Sequence, residues 1–163
     1  MTEIAIIGAK GRVDDPNILI ASLQNMKQGM GVPLNADLVC GRDHLLSATL
    51  HAIRSFERGE NISSNLLNEI LIYASGERQF AKAVEKMGIS KGCQRIAIVF
   101  LDCPHPEGIV KELGLSPDDS VLESTIEKLR RFGIEESEIS ALSAAELADV
   151  VLERVAFVDL IKK

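Results

Sequence analysis

The sequence is poor in aromatic residues: its 163 residues include no Trp, one Tyr and five Phe. Aliphatic side chains must therefore supply most of the buried apolar area. The sequence also lacks any apolar run near the roughly 20 residues of a membrane-spanning helix. Its first residues, MTEIAIIGA, place an acid before a short apolar run, whereas a secretory signal places basic residues there. We therefore expect a cytoplasmic protein that does not enter a membrane.

Cysteine is also scarce. The three cysteines, Cys40, Cys93 and Cys103, are odd in number and lie far apart in the sequence. This pattern is typical of free thiols in a reducing cytoplasm and does not predict a disulfide framework.

Negative charge is concentrated in the second half of the chain. Residues 102–163 carry fourteen acids and seven bases, a net charge of −7, whereas residues 1–101 carry ten acids and eleven bases, a net charge of +1. This asymmetry predicts two surfaces with different partners. The overall charge of −6 disfavours indiscriminate binding of nucleic acid, although a local basic face could still contact a few phosphates.

The order of strand-like and helix-like segments predicts one α+β domain over residues 1–163, with a mixed β-sheet and helices packed on it. Strands are predicted at 3–9, 36–40 and 95–102, with a further edge strand at 137–142. Residues 61–75 fit either a helix that begins at Ser64 or a short helical turn followed by a strand at 69–74, and their composition favours the strand. The strand at 95–102 should be central because nearly all of its residues are apolar. Gly and Pro predict a loop at 29–35. Helices are predicted at 16–28, 42–59, 77–87, 107–113, 124–132 and from Ser143 to the end.

The most informative local pattern is YASGERQFAKAVEKMGI, residues 73–89. Ser75 is predicted to cap the helix over 77–87, and Gly76 would leave a backbone N–H uncovered. A helix start of this kind binds a phosphate or carboxylate through free N–H groups and the positive end of the helix dipole. Arg78, Lys82 and Lys86 follow at intervals of four residues and form a basic stripe. The same pattern also fits a solvated helix face, so both interpretations stay open.

Two helices carry clear apolar stripes. In the helix over 42–59 the predicted core stripe consists of Leu46, Leu50 and Ile53. The last helix begins with a capping-box pattern at Ser143 and Glu146. Its core stripe consists of Leu147, Val151, Val155 and Val158, and further apolar residues lie on its other faces: Leu152, Ala156, Phe157 and Leu160. Such a helix is either wholly buried or packed in the groove of a partner.

Catalytic and metal motifs are not found. The segment Gly8-Ala9-Lys10-Gly11-Arg12 follows a strand, as a phosphate-binding loop would. It matches neither the G-x-G-x-x-G nor the G-x-x-x-x-G-K-[ST] spacing of such loops. Cys103-Pro104-His105-Pro106 offers one Cys and one His and lacks the second ligand pair of a structural zinc site. His44 and His51 lie seven residues apart, without the four-residue spacing of a helical metal pair. We therefore predict no catalytic residue, no metal and no cofactor.

Four segments carry a resemblance to a known family. In order they are NADLVCGRDHLLSATLHAI, LLNEILIYASGERQFAKAVEKMGI, DDSVLE and VVLERVAFVDLIKK. Their order and spacing resemble the small regulatory subunit of the KEOPS complex, the family of the human PRPK-binding protein. The resemblance covers most of the chain, and the block that ends in Met-Gly-Ile is its most specific part.

The resemblance implies a non-catalytic subunit of a complex that makes threonylcarbamoyladenosine beside the anticodon of tRNAs decoding A-starting codons. The implied direct partner is a small atypical kinase that acts as an ATPase. The catalytic ATPase-like subunit and a dimerisation subunit would be indirect partners in the same complex. The resemblance also implies recruitment of tRNA through its 3′ CCA end.

On this reading we expect two sites. The kinase interface is expected at four residues of the last helix: Leu152, Phe157, Leu160 and Ile161. The tRNA-binding residues are expected in the near-neutral half of the chain: Arg42, His44, Ser75, Gly76, Arg78, Gln79 and Lys82. Free backbone donors and arginines would hold phosphates while an apolar pocket stacks the terminal base.

Two alternatives come from other functional classes. The first is a small-molecule enzyme in which the helix start at Ser75-Gly76, with Arg78, Gln79 and His44, forms a phosphate-binding pocket. The second is a purely structural interaction subunit that never contacts RNA. Binding to tRNA that disappears when the CCA end is removed would exclude the second alternative.

Overall fold

The computed structural model describes residues 2–162. Its strands are β1 (Ile4–Lys10), β2 (Met30–Asn35), β3 (Arg95–Leu101) and β4 (Ser116–Pro117). Its helices are α1 (Pro16–Gln24), α2 (Arg42–Glu57), α3 (Leu66–Ser75), α4 (Phe80–Met87), α5 (Pro106–Glu112), α6 (Ile126–Phe132), α7 (Glu136–Ala141) and α8 (Ala144–Ile161). Two short 3₁₀ helices lie at Ala36–Leu38 and Asp119–Leu122. The predicted α+β class is confirmed.

The sheet has the strand order β2-β3-β1-β4, and its pairings are antiparallel. Strand β3 lies between β1 and β2, with Ile98 opposite Ile7 and Val99 opposite Val32. Strand β3 is antiparallel to both β1 and β2, so β1 and β2 run in the same direction on either side of it. The sheet is therefore antiparallel where a mixed sheet was expected, and the central position predicted for the strand at 95–102 is confirmed.

Apolar cores cover both faces of the sheet, and β3 contributes to each. Ile96, Ile98 and Phe100 point into the smaller core, which contains buried residues of α1 and α5. The alternate residues Ala97, Val99 and Leu101 point into the larger core, to which α2, α3, α4, α6 and α8 contribute. This alternation follows from the two-residue period of a strand. The two surfaces considered below belong to the helices of the larger core.

Strand β2 corrects two sequence predictions. Residues 29–35 were expected to be a loop, but Met30–Asn35 pairs with β3 along its whole length. Pro33 is tolerated because β2 is an edge strand, where a missing N–H costs no ladder hydrogen bond. Residues 36–40, predicted as a strand, begin instead with the 3₁₀ helix Ala36–Leu38, for which Asn35 accepts a hydrogen bond from the Asp37 N–H.

Helix α3 occupies residues 69–74, so the favoured strand is wrong and the helical alternative is confirmed. Asn65 begins it, because its side chain accepts hydrogen bonds from the N–H groups of Leu67 and Asn68. Every residue from Glu69 to Ser75 is buried. A helix covered on all sides loses the amphipathic period that marks helices in a sequence. The edge strand predicted at 137–142 is also wrong, because α7 (Glu136–Ala141) is helical.

Candidate protein-docking and RNA-binding surfaces

The SGERQ segment, residues 75–79, connects the end of α3 to the start of α4, and no helix begins at Ser75. Helix α3 ends at Ser75, and Gly76 follows it in the left-handed conformation, with φ of 73°. The Gly76 N–H donates to the Tyr73 carbonyl, and the Ser75 hydroxyl donates to the Ile72 carbonyl. Helix α4 begins only at Phe80. The predicted helix start at Ser75 is therefore wrong.

This correction changes the electrostatics of the segment. Ser75-Gly76 lies at the carboxyl end of α3, where the helix dipole is negative and disfavours anions. The Glu77 N–H, which could have bound an anion, donates to the Ser75 hydroxyl at 3.1 Å. The alternative of a phosphate-binding enzyme pocket relied on a helix start here and loses that basis.

His44 is fully buried near the start of α2. Its Nδ1 accepts a hydrogen bond from the Cys40 N–H at 3.0 Å, so its Nε2 donates to the Ala74 carbonyl at 2.7 Å. The Phe132 ring meets the imidazole edge-on, with ring centroids 5.3 Å apart. Burial lowers the pKa of His44 to about 4, against the opposing effect of the bond to Ala74. His44 is therefore a neutral residue that joins α2 to the end of α3.

Arg42 makes its side-chain bonds to β1 and to the second 3₁₀ helix, and none of them is to the SGERQ segment. Its Nη1 donates to the Ile6 carbonyl of β1 at 2.7 Å, and its Nη2 lies 3.0 Å from the Asp119 carboxylate. These bonds attach the start of α2 to the sheet and to the second 3₁₀ helix. Among the residues expected to bind tRNA, the exposed ones near α4 are Arg78, Gln79 and Lys82.

Helix α4 buries a narrow face and exposes the rest. Ala83 and Met87 are buried, whereas Phe80 and Val84 are 39% and 40% exposed. At 100° per residue, Phe80 and Val84 share one flank of the helix and Lys82 lies on the opposite flank. We call the exposed residues Arg78, Gln79, Phe80, Lys82 and Val84 the α4 surface. It combines an exposed aromatic ring with two cations.

Two half-buried lysines continue the positive charge beyond the α4 surface. The Lys86 Nζ lies 3.8 Å from the centre of the Phe132 ring, a cation–π contact. The Lys128 Nζ donates to the Val121 carbonyl at 2.5 Å. Burial lowers the pKa of both ammonium groups. The same surroundings raise the pKa of the Cys40 thiol to about 11, because burial outweighs the nearby lysine charges. No sequence motif pointed to Lys128.

Helix α8 presents the second exposed surface. Its buried face contains Leu147, Val150, Val151, Val155 and Val158. On its outer side Phe157 is 52% exposed and Leu160 is 68% exposed, while Leu152 and Ile161 are half-buried. We call these four residues, Leu152, Phe157, Leu160 and Ile161, the α8 apolar surface. The capping box of Ser143 and Glu146 is confirmed. Periodicity left open whether α8 is wholly buried, and the structure answers that it is not.

A groove of about 240 Å³ extends the α8 apolar surface toward α2. Leu152 lines it from α8, and Leu46 and Leu50 line it from α2. Leu50 is 44% exposed, although its spacing predicted a core position. Helix α2 buries a different stripe: His44, Leu45, Ala48, Thr49, Ala52 and Ser55. Sequence periodicity therefore placed the core stripe of α2 one residue away from its true position.

The acids of the second half form a groove beside the same helix. This groove, of about 570 Å³, lies between α7 and α8. Its acidic lining residues are Glu138, Glu146, Asp149 and Glu153. Glu138 lies 3.0 Å from the Arg154 guanidinium. The other three acids, Glu146, Asp149 and Glu153, are exposed to solvent. The outer side of α8 is therefore acidic in its first half and apolar in its last turns.

Within residues 2–162, no cluster of three or more His, Cys, Asp or Glu side chains could hold a metal ion. No helix in that range is long and apolar enough to cross a membrane.

Comparison with known proteins places the chain in a family. The family described as "Kinase binding protein CGI-121" matches residues 13–159. The chain is also 31% identical over 131 residues to the protein named "Regulatory protein Cgi121" of Methanocaldococcus jannaschii. That alignment covers 80% of this chain and 83% of the relative. The chain therefore belongs to the CGI-121 family of kinase binding proteins.

Proposed function

We propose that this protein is the non-catalytic, kinase-binding regulatory subunit of a KEOPS-type complex that makes threonylcarbamoyladenosine in tRNA. The observation that carries this proposal is the α8 apolar surface, which leaves Phe157 and Leu160 exposed in a chain of a kinase-binding family. The atypical kinase is the direct partner. The catalytic ATPase-like subunit and the dimerisation subunit are reached through the complex.

The spacing on α8 supports docking by this helix. Phe157, Leu160 and Ile161 follow the i, i+3, i+4 pattern by which a helix fills an apolar groove. An aromatic side chain that fills a pocket near the centre of an interface can supply much of the binding energy, and Leu160 adds apolar area that excludes water around Phe157. The α2–α8 groove lined by Leu46 and Leu50 gives the partner a second apolar contact.

The acidic groove between α7 and α8 supports a basic patch on the partner. Opposite charges across an interface raise the association rate and fix the orientation of the two proteins. Asp149 and Glu153 are exposed beside the apolar turns, so they would lie at the rim of this interface. Association is therefore expected to slow as salt is added.

Calorimetric titration of the purified kinase subunit into this protein tests the docking proposal. We expect a one-to-one complex, with a heat-capacity decrease that reflects buried apolar surface. Absence of binding at micromolar concentrations, or binding unaffected by changes on α8, would overturn it.

For tRNA we propose that the α4 surface contacts the 3′ CCA end. Arg78 and Lys82 supply charge for phosphates, and Phe80 offers one ring face on which a terminal base can stack. Gln79 can hydrogen-bond to a base edge. His44 and Ser75 are buried in the free protein and Gly76 ends α3, so we propose that they support this surface from below. Arg42, paired with Asp119, is proposed as an outlying phosphate contact.

Titration of intact tRNA and of tRNA lacking its CCA end, each over a series of salt concentrations, tests this part. Weaker binding after trimming supports recognition of the RNA end. Equal affinity for both RNAs would contradict end recognition, and lack of binding to either would leave a kinase-docking subunit that does not contact RNA.

A further inference from the structure

The end of α8 is joined to α2 and α3 by a buried polar cluster. The Lys162 side chain, directly after α8, is only 2% exposed. Its Nζ donates to the Ser55 hydroxyl of α2 at 2.6 Å and to the Tyr73 hydroxyl of α3. The Tyr73 hydroxyl in turn donates to Asp159, in the last turn of α8. One ammonium group therefore connects three helices.

Glu69 supplies a buried negative charge on the other side of the cluster. Its carboxylate lies 3.9 Å from the Lys162 Nζ and accepts a hydrogen bond from the Ser55 hydroxyl at 2.9 Å. It also accepts from the N–H groups of Ile62 and Ser63 at 3.0 and 2.9 Å. Three neutral donors hydrogen-bond to Glu69, so Lys162 contributes a compensating charge to this carboxylate, while its own two hydrogen bonds attach α8 to α2 and α3.

Asp159 makes the second connection from α8. Its carboxylate lies 3.0 Å from the His51 Nδ1, and the His51 ring stacks on Tyr73 with centroids 5.5 Å apart. Partial burial alone would raise the pKa of Asp159, but hydrogen bonds from Tyr73 and His51 outweigh it and the pKa is lowered. Asp159 is therefore held as a carboxylate at neutral pH.

This cluster lies directly beside the exposed residues of α8. Val158 is the last fully buried apolar residue of the helix, and the three helical residues after it, Asp159, Leu160 and Ile161, are exposed or half-buried. Phe157 and Leu160 face solvent, so they contribute little to holding the last turn in place. The orientation of that turn therefore depends on the polar cluster.

We propose that Lys162 is a positioning residue for the α8 apolar surface: through Ser55 and Tyr73 it fixes the last turn of α8, and with it Leu160, in the orientation that docks on a partner. This inference rests on the proposed kinase docking. Loss of these bonds would leave the docking residues to be ordered on binding, and that ordering weakens association.

Hydrogen exchange and calorimetry on the full chain test the inference with the variant Lys162→Met, which keeps the length of the side chain and removes its donors. Amides 156–161 should exchange faster than in the wild type. The Kd for the purified kinase subunit should rise about tenfold. The matched control is Lys91→Met, at an exposed lysine, which should change neither quantity.

Two further variants separate positioning from a general loss of stability. Leu115→Ala opens the core on the other face of the sheet and should lower the unfolding temperature without weakening kinase binding. Leu160→Ala combined with Lys162→Met should weaken binding by less than the sum of the two single effects, because both act on one contact.

The outcomes are distinguishable. Unchanged exchange at 156–161, or faster exchange with wild-type kinase affinity, would overturn the role of Lys162 while leaving kinase docking intact. Additive effects of the two α8 variants would also overturn it. A wild-type protein that does not bind the kinase would instead overturn the proposed function, and this inference with it.

Discussion

The Nε2 of His44 donates a 2.7 Å hydrogen bond to the carbonyl of Ala74, joining the first turn of α2 to the last turn of α3. The bond satisfies a carbonyl at the end of a helix, where acceptors otherwise lack partners. Since Nδ1 accepts from the Cys40 N–H, protonation of the imidazole would break that second bond. The fold therefore favours the neutral form of His44.

This pairing predicts a loss of stability in mildly acidic solution. The pKa of His44 is about 4 in the folded protein and near 6.5 when unfolded, so the unfolded chain binds the extra proton first. The contribution is fully present above about pH 6.5 and is lost as the pH falls toward 4. Urea unfolding across this range should show a loss on the order of 3 kcal/mol.

His44→Gln should flatten the stability profile between pH 4 and 6.5 while lowering stability at pH 7, because the buried bonds are disturbed at every pH. His105→Gln, at an exposed histidine of the α5 side, is the matched control and should keep the wild-type profile. A wild-type slope in His44→Gln would assign the acid sensitivity to another group.

Gly76 is predicted to act through its backbone. Its φ of 73° is strained for any residue with a Cβ, although the nearest atom to an added Cβ, in Phe132, lies 3.6 Å away. Gly76→Ala should therefore cost about 1 kcal/mol of unfolding free energy without a steric clash. Chemical denaturation measures this loss, and the affinity for tRNA should not change.

Gly108→Ala is the matched control for this change. Gly108 lies inside α5 with ordinary backbone angles, and an added Cβ would meet its nearest neighbour at 3.9 Å. Alanine should therefore stabilise the protein by up to about 1 kcal/mol. Wild-type stability of Gly76→Ala combined with weaker tRNA binding would show that Gly76 contacts RNA directly.

The features that the sequence predicted correctly have local causes. Residues 96–101 are apolar throughout because β3 has a core on each face. The capping box at Ser143 and Glu146 needs only residues three positions apart. Pro16 begins α1 because its fixed φ suits the first helical position. Such signals survive without knowledge of the tertiary structure.

The features that were missed depend on packing between distant segments. Helix α3 is covered on every side, so its residues resemble a strand in composition. Gly31 and Pro33 suggested a loop, yet the pairing of β2 with β3 overrides them. The cluster around Lys162 joins residues up to 107 positions apart, as in its bond to Ser55, and no short motif encodes it. Periodicity also cannot tell which apolar residues of α8 lack a neighbour.

Leu160→Glu is predicted to abolish kinase binding without unfolding the protein. Leu160 is 68% exposed, so a charge there costs little in the free protein, within about 0.5 kcal/mol. In an apolar interface the same charge must be desolvated, and the Kd should rise at least about thirtyfold. Calorimetry and thermal unfolding measure the two effects separately.

Ile18→Glu is the control for that variant, because Ile18 is 64% exposed on α1, in the layer on the other face of the sheet. It should bind the kinase like the wild type. If Leu160→Glu unfolds the protein, Leu160 belongs to the core, and if it binds normally, the kinase docks elsewhere.

Arg78→Glu is predicted to weaken tRNA binding while leaving kinase binding unchanged. Reversing one charge near a phosphate removes an attraction and adds a repulsion, so affinity should fall several-fold. The slope of log K against log salt should become shallower by about 1. Filter binding with intact and CCA-trimmed tRNA measures both quantities, and the variant should lose most of its preference for the intact RNA.

Lys27→Glu provides the comparison, since it reverses an exposed charge beside α1, in the layer across the sheet from α4. An equal loss of affinity in both variants would mean that tRNA responds to the net charge of the protein. Wild-type affinity in Arg78→Glu would make Arg78 a solvated residue of the α3–α4 turn. Only a loss confined to Arg78→Glu and to intact tRNA places the RNA end on the α4 surface, because general electrostatic attraction cannot distinguish the two RNAs.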